Sequence, residues 1–386
     1  MDKKRRLLLI NTVCGVGSTG RICEQIAGEY EENGYEVRIA YGRSSGNNKN
    51  QSEIQYGYRI GDDKDVKFHG LLTRAFDLHG FGSKKPTRLF LRWIEQYDPD
   101  VIWLHNIHGY YIHVGELFEW IKNRQIMQKQ NGLPVMQIRW TLHDCWSFTG
   151  HCAHFSFVGC DKWKTGCGNC PQKKEYPGTY LIDRSYRNWN EKRSLFTGIM
   201  NMTIITPSQW LANLVKMSFL REYPIEVKHN TVDYSVFKPT RSDFREQYGL
   251  TGKIMILGVS SIWNKRKGLD DFIALSGRLD ENSYHLVLVG VTEKQKSKLD
   301  NTGILCITHV ESQKRLAEIY SAADVFVNFS REESFGLTTL EAISCGTKVL
   351  VYEDTACEEV VKEYGGVAVP RNLDNVISTI TELVKQ

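Results

Sequence analysis

Short apolar runs recur along this chain, separated by stretches of helical periodicity, and that alternation confines it to one architectural class. Runs at Arg6–Val13, Glu36–Tyr41, Val101–His105, Val135–Leu142 and Met202–Thr206 read as strands buried on both faces. Between them, Arg21–Asn33, Thr87–Tyr97 and Gly115–Gln128 carry apolar residues at helical spacing. The pattern opens afresh at Lys253–Gly258. It continues through a helix at Leu269–Gly277 and strands at His285–Val289, Ile304–Ile307, Asp324–Asn328 and Lys348–Val351. Such alternation builds parallel sheets covered by helices, and 386 residues exceed what one core of this kind takes in. The expected fold is α/β: two doubly wound Rossmann-like domains, 1–229 and 230–386, facing across a cleft. His229–Pro239 reads as the linker, and ligands are expected at strand C-terminal ends. Gly42–Lys85, rich in Gly, Asn, Ser and charge, reads as loop with at most local helix. A Cys-rich insertion falls near 145–175, and the last helix is placed as one that packs back toward the first domain.

The remaining bulk features narrow the class further. With 41% hydrophobic and 24% charged residues, the composition is that of a soluble globular enzyme. The formal charge of +4 suits anionic small ligands or a membrane surface and is too weak to argue for nucleic acid. The apolar run after Lys3-Lys4-Arg5-Arg6 breaks at Asn11 and Thr12, which fits a first strand better than a signal peptide. No apolar stretch approaches the ~20 residues that span a bilayer. The expected location is cytoplasmic, with peripheral contact at the inner face of the cell membrane as a further hypothesis. That hypothesis rests on the basic start and on the amphipathic stretch Trp210–Leu220, for which a solvated strand start and an ordinary packed helix are the plainer readings.

Three strand-to-helix loops have the chemistry to hold phosphate. After the strand ending at Asn328, an acidic loop leads into a helix near Leu337. The backbone around Ser334, Phe335, Gly336, Leu337 and Thr338 offers unpaired N–H groups at the positive end of a helix dipole. Glu333 and Glu341 can accept from hydroxyls on either side of such a phosphate, which describes a nucleotide-sugar. In the equivalent place of the preceding unit of sequence, Lys265, Arg266 and Lys267 crowd three cations beside a helix start, suiting a diphosphate. Near the start, Gly15-Val-Gly-Ser-Thr-Gly20 forms a complete G-x-G-x-x-G between a strand and a helix. A dinucleotide reading also wants an acid about 20 residues on. The second strand ends Tyr41-Gly42-Arg43 instead, which leaves an NAD(P)-dependent oxidoreductase as a disfavoured alternative.

Lys267-Gly268, the pair Glu333 and Glu341 with Phe335-Gly336 between them, Tyr320-Ser-Ala-Ala-Asp324 and His229–Pro239 together resemble the family 4 retaining glycosyltransferases, of GT-B fold. The likeness covers the second half and, more loosely, the first. It implies Glu341 on the nucleotide ribose, Glu333 facing the donor sugar, and the amides of Gly336, Leu337 and Thr338 as a phosphate cradle. It further implies Lys267 on the diphosphate, and Gly15 and Gly17 on the donor phosphates. Where the family has an arginine about five residues before the lysine, this chain has Ile262; Arg266 is the candidate substitute. The implied activity is metal-independent sugar transfer from a nucleotide-diphospho-sugar to a saccharide or lipid-linked saccharide, in capsule, exopolysaccharide or O-antigen synthesis. No cofactor is implied for catalysis.

His143 and Asp144, just past a strand, stand where the family places its active-site histidine; neutral histidine can bond a hydroxyl while Asp144 orients its ring. His105 and His108 close another strand on the same side and read as acceptor lining. Ten cysteines with no export signal point to reduced thiols or metal ligands. Cys152, Cys160, Cys167 and Cys170 have a zinc-knuckle half, so a structural zinc stands beside buried thiols and a redox-dependent disulfide. A zinc-stapled nucleic-acid-binding protein is the remaining alternative. Trp146, Phe148 and Trp163 read as sugar-stacking or core.

Overall fold

The computed structural model describes residues 4–44 and 49–385. The chain forms two compact units, Met1–Pro207 with Leu211–Lys228, and Ser208–Trp210 with His229–Gln386.

In the first unit the order is β1 (Arg6–Asn11), α1 (Gly17–Glu32), β2 (Glu36–Tyr41), α2 (Gln51–Gln55), β3 (Gly57–Arg59), α3 (Asp63–Phe76) and α4 (Lys84–Tyr97). Then come β4 (Val101–Leu104), α5 (Val114–Gln130), β5 (Gln137–Thr141), α6 (Ser185–Phe196), β6 (Met202–Thr206), α7 (Gln209–Met217) and β7 (Ile225–Val227). The seven strands run β3-β2-β1-β4-β5-β6-β7, every pair parallel. Leu7, Leu8, Leu9 and Ile10 are all fully buried, as the continuous apolar run requires of a central strand covered on both faces. The strand order reverses between β1 and β4, so the loops after those strands flank the switch point.

Gly42–Lys85 is a correction. It contains α2, β3 and the fourteen-residue α3. Both helices have complete capping boxes, Asn50 with Glu53 and Asp62 with Asp65. The membrane-facing candidates also take the plainer reading. Leu211, Ala212, Val215 and Leu220 of the Trp210–Leu220 stretch are buried. Arg6 is tied to Glu36 and to the Tyr97 carbonyl, and Arg5 lies over the Tyr35 ring; Lys3 lies outside the described residues. Among the described residues no helix is long and apolar enough to cross a membrane.

The second unit comprises α8 (Phe244–Gln247), β8 (Ile254–Val259), α9 (Leu269–Ser276), β9 (Tyr284–Val289), α10 (Glu293–Leu299), β10 (Leu305–Ile307) and α11 (Gln313–Ala322). It continues with β11 (Val325–Asn328), α12 (Leu337–Ser344), β12 (Lys348–Tyr352), α13 (Ala356–Tyr364), β13 (Val367–Val369) and α14 (Leu373–Lys385). Its six strands run β10-β9-β8-β11-β12-β13, again all parallel. The reversal lies between β8 and β11, each followed by one of the predicted phosphate loops. The last helix, α14, lays Val376, Ile380 and Leu383 into this unit's own core.

Candidate active site

At the switch point of the second unit, two loops interlock. Gly268 has φ +72°, and a Cβ there would stand 2.4 Å from the Phe329 Cβ and carbonyl oxygen, so only glycine lets the turn at Lys265–Lys267 approach β11 this closely. Asn264 caps that turn by accepting from the Lys267 N–H at 3.1 Å. The Arg331 N–H donates to the Arg266 carbonyl at 2.8 Å, and the Arg266 guanidinium donates to the Glu332 carbonyl at 2.8 Å. Arg266 is thus joined to the acidic loop's backbone, while Ile262 is 65% exposed and brings no cation. Lys267 Nζ pairs with Glu333 Oε1, both side chains mostly buried. Sequence-distant residues predicted to share one ligand are therefore in contact.

The acidic loop is braced from below. Asn328, at the end of β11, accepts from the Ser330 N–H and donates to Thr339 Oγ1, both at 3.0 Å. Gly336 has φ +91°, and a Cβ there would meet Cys357 Sγ at 2.5 Å. This left-handed turn starts α12 with no side chain capping it, leaving the helix start to its backbone N–H groups. Burial pushes the Cys357 thiol up to about 12, so no sulfur anion competes for those donors. Glu341, one turn into α12, accepts from the Tyr320 hydroxyl at 2.9 Å. Tyr320, Asn328 and Asn264 are supporting residues to which sequence reasoning gave no role. A polar residue closing an apolar strand was the only signal for Asn328.

The first unit gathers its candidates at the C-terminal ends of β1, β4 and β5. Gly15 has φ +67° and packs against Ser52 and Asn50, whereas a Cβ on Gly17 would meet nothing within 4 Å. Packing alone accounts for Gly15; Gly17 is the open flank. Gly42 leaves no room for the dinucleotide-type acid, because a Cβ there would stand 2.0 Å from Tyr111.

His105 Nδ1 and His143 Nε2 share a hydrogen bond of 3.0 Å, their rings stacked. Burial pulls His143 down to about 4 against the opposing pull of Asp144, so its imidazole is neutral near pH 7. His105 is 2% exposed and supports His143 through that bond, and it lines a small cavity together with His108, His143 and Asp144. His108 Nε2 lies 3.0 Å from Asp144 Oδ2. Burial pushes the Asp144 carboxyl up, but the His108 charge and hydrogen bond, with help from His154 and the Trp146 N–H, hold it below the usual carboxylate range. The structure thus assembles a neutral His143 beside an ionised Asp144.

The cysteine group needs correction. Among the described residues no set of three or more His, Cys, Asp or Glu is arranged to hold a metal ion. The Cys152 and Cys170 thiols hydrogen bond to each other. Cys167 Sγ accepts from the Gly150 N–H at 3.2 Å, and Cys160 is half-buried. Here chain spacing gathers thiols that pack and hydrogen bond instead of closing a tetrahedron. Trp146, Phe148 and Trp163 are core, at most 2% exposed. The buried Lys192 ammonium sits 3.4 Å above the Trp146 ring.

A site of paired carboxylates, cations and a helix start at the switch point of a doubly wound sheet, in a chain of two such sheets, defines a class. The chain is a glycosyltransferase of the GT-B fold. The model of the group 1 glycosyl transferases matches residues 240–386. A colanic acid biosynthesis glycosyl transferase of Escherichia coli K12 is 26% identical over 304 residues, 76% of this chain and 69% of that one. The fold is that of a sucrose-phosphate synthase from Thermosynechococcus elongatus, with TM-score 0.66 at 15% identity over 99% of this chain and 90% of that one. Anabaena HepE, solved with UDP, superposes with TM-score 0.61 at 14% identity over the same shares, 99% and 90%.

Proposed function

We propose that the second unit binds a nucleoside-diphospho-sugar through Lys265–Gly268 and Glu333–Glu341, and that the enzyme transfers the sugar with retention to a saccharide acceptor, lipid-linked, in surface polysaccharide synthesis. The observation that carries this reading is the contact of Lys267 with Glu333 beside the uncapped start of α12. It puts a cation, peptide N–H donors and a carboxylate within one small site. Departure of the nucleoside diphosphate leaves negative charge on its β-phosphate, which Lys267 and the amides of Gly336, Leu337 and Thr338 stabilise. Glu341, oriented by Tyr320, accepts from the ribose hydroxyls; Glu333 accepts from the sugar hydroxyls. Arg266 holds Lys267's loop in place through the Glu332 carbonyl. In the first unit, His143 hydrogen-bonds a sugar hydroxyl near the reacting centre, with Asp144 and His108 fixing the local charge, and Gly17 provides room for an anionic group.

Support for the polysaccharide setting comes from the colanic acid relative, and support for a nucleotide of the UDP type from the fold shared with HepE. The test is Glu333→Gln, which keeps the shape and removes the charge. It should lower kcat/KM by about 100-fold or more, an effect of the size found when a transition-state contact is lost. Near-normal transfer by this variant, with its fold intact, would overturn the assignment.

A further inference from the structure

The Cys-rich insertion between β5 and α6 brings one side chain of its own to the first unit's site. Its turn at 172–179 is tied down at both ends. The Cys170 N–H donates to Asp183 Oδ2 at 2.7 Å, the Thr179 N–H to the Lys173 carbonyl at 2.8 Å, and the Tyr180 N–H to the Arg74 carbonyl of α3 at 2.8 Å. Gln172 and Thr179 are buried within it. Tyr176 stands between these ties, and its hydroxyl lies 3.3 Å from His108 Nδ1. The other nitrogen of that ring, Nε2, faces Asp144 Oδ2 at 3.0 Å. An ionised carboxylate only accepts, so Nε2 carries a proton and Nδ1 is left to the Tyr176 hydroxyl. A polar row Tyr176–His108–Asp144 therefore runs from the insertion to the end of β5.

An ordinary surface tyrosine buries its ring and leaves its hydroxyl in water. Tyr176 does the reverse. The residue is 50% exposed, yet burial pushes its hydroxyl above the usual phenol range. The surroundings hold it in this pose. His79 is 2% exposed, and neither of its ring nitrogens has a hydrogen-bond partner among the described residues. It packs against the rings of His108, Tyr110, Trp146 and Tyr176, with centroids 5.0 to 5.6 Å away. Tyr110, in the same loop as His108, has φ +73°, a left-handed backbone rare outside glycine and concentrated at ligand sites.

We propose that Tyr176 recognises the saccharide acceptor. Its open ring stacks on the C–H face of the acceptor's terminal pyranose, and its hydroxyl oxygen accepts from a hydroxyl of that sugar. Whichever partner holds the proton between Tyr176 and His108, the phenol oxygen keeps a lone pair for the ligand. The inference rests on the acceptor reading proposed above and deepens it, because it gives the Cys-rich insertion a part in choosing the acceptor. Packing alone would be served by an apolar ring; the hydroxyl is needed only where a polar row ends beside an open face.

The test is saturation-transfer NMR of the full chain with the methyl glycosides of glucose, galactose and mannose, standing in for the acceptor's terminal ring. At least one should receive saturation through its ring C–H protons. Tyr176→Phe should weaken that glycoside about three- to tenfold, the loss of one hydroxyl contact, at an unchanged melting temperature. Tyr176→Ala removes the stacking as well and should weaken it about 30-fold or more, and Tyr176→Trp should return it to the level of Tyr176→Phe. A glycoside that binds wild type and Tyr176→Ala alike, or wild-type protein that binds none of the three, would overturn the proposal. So would a loss of binding in Tyr176→Phe that follows a lowered melting temperature, which marks a merely structural role. Calorimetry with UDP, GDP and ADP reads the donor site separately. Nucleotide binding beside glycoside binding indifferent to Tyr176 refutes this proposal alone; wild-type protein that binds no nucleotide refutes the reading beneath it.

Discussion

Replacing Gly336 by alanine probes the geometry of the phosphate cradle with one carbon. Two penalties are readable in the structure. An L-residue at φ +91° meets the left-handed cost of about 1–2 kcal/mol. The new Cβ would also stand 2.5 Å from Cys357 Sγ, and overpacking of that kind costs about 1–3 kcal/mol. The sum, about 2–5 kcal/mol, corresponds to a fall in the melting temperature of this unit of roughly 5–15 °C. Calorimetric unfolding of Gly336→Ala, Cys357→Ala and the double variant separates the two. The double variant should show a favourable coupling of about 1–3 kcal/mol, because the clash disappears while the backbone strain stays. Nucleoside diphosphate affinity should fall about tenfold or more in Gly336→Ala, since a rotated turn misdirects the donors at Leu337 and Thr338. A Gly336→Ala protein that melts within a degree of wild type, or a cycle with no coupling, would refute the reasoning.

Tyr320→Phe removes the hydroxyl that orients Glu341 and should raise the donor KM about two- to tenfold with little change in kcat; an equal fall in kcat would place Glu341 at the reacting centre instead. Acid should destabilise the first unit between pH 6.5 and about 4. Burial pulls both His69 and His143 down to about 4, so over that window the folded state binds fewer protons than the unfolded chain and stability falls with pH. His69 alone, fully buried, accounts for about 3 kcal/mol of that loss, and a melting temperature that stays flat from pH 7 to 4.5 would contradict it.

What the sequence disclosed follows from what periodicity can encode. The central strands are continuous apolar runs, so β1, β2, β6, β8 and β11 were legible nearly to the residue, as was the start of α12 at Leu337. The helix α3 escaped because its rotation is set by His69 and Thr73 hydrogen bonds while Phe68 and Leu71 face out, against the pattern that reveals a helix. The edge strands β3, β7 and β13 have three residues each, too few to show a period, whereas the equally short β10 was legible as the apolar run Ile304–Ile307. At the site, the carboxylates, cations and glycines were visible as types at strand ends. Their pairing was not, because Lys267 meets Glu333 across 66 residues and Tyr320 meets Glu341 from a different helix. Cysteine spacing misled for a similar reason: it reports separation along the chain and not whether four sulfurs converge.

The central claim is that the loops after β8 and β11 hold a nucleoside diphosphate. Titration calorimetry of UDP, GDP and ADP into wild type and Lys267→Ala tests it without any knowledge of sugar or acceptor. The account predicts that one of the three binds wild type at a single site and that Lys267→Ala weakens it by about 10- to 100-fold, the loss of one charge-assisted contact. Binding that survives Lys267→Ala undiminished, or wild-type protein that binds none of the three, would contradict it.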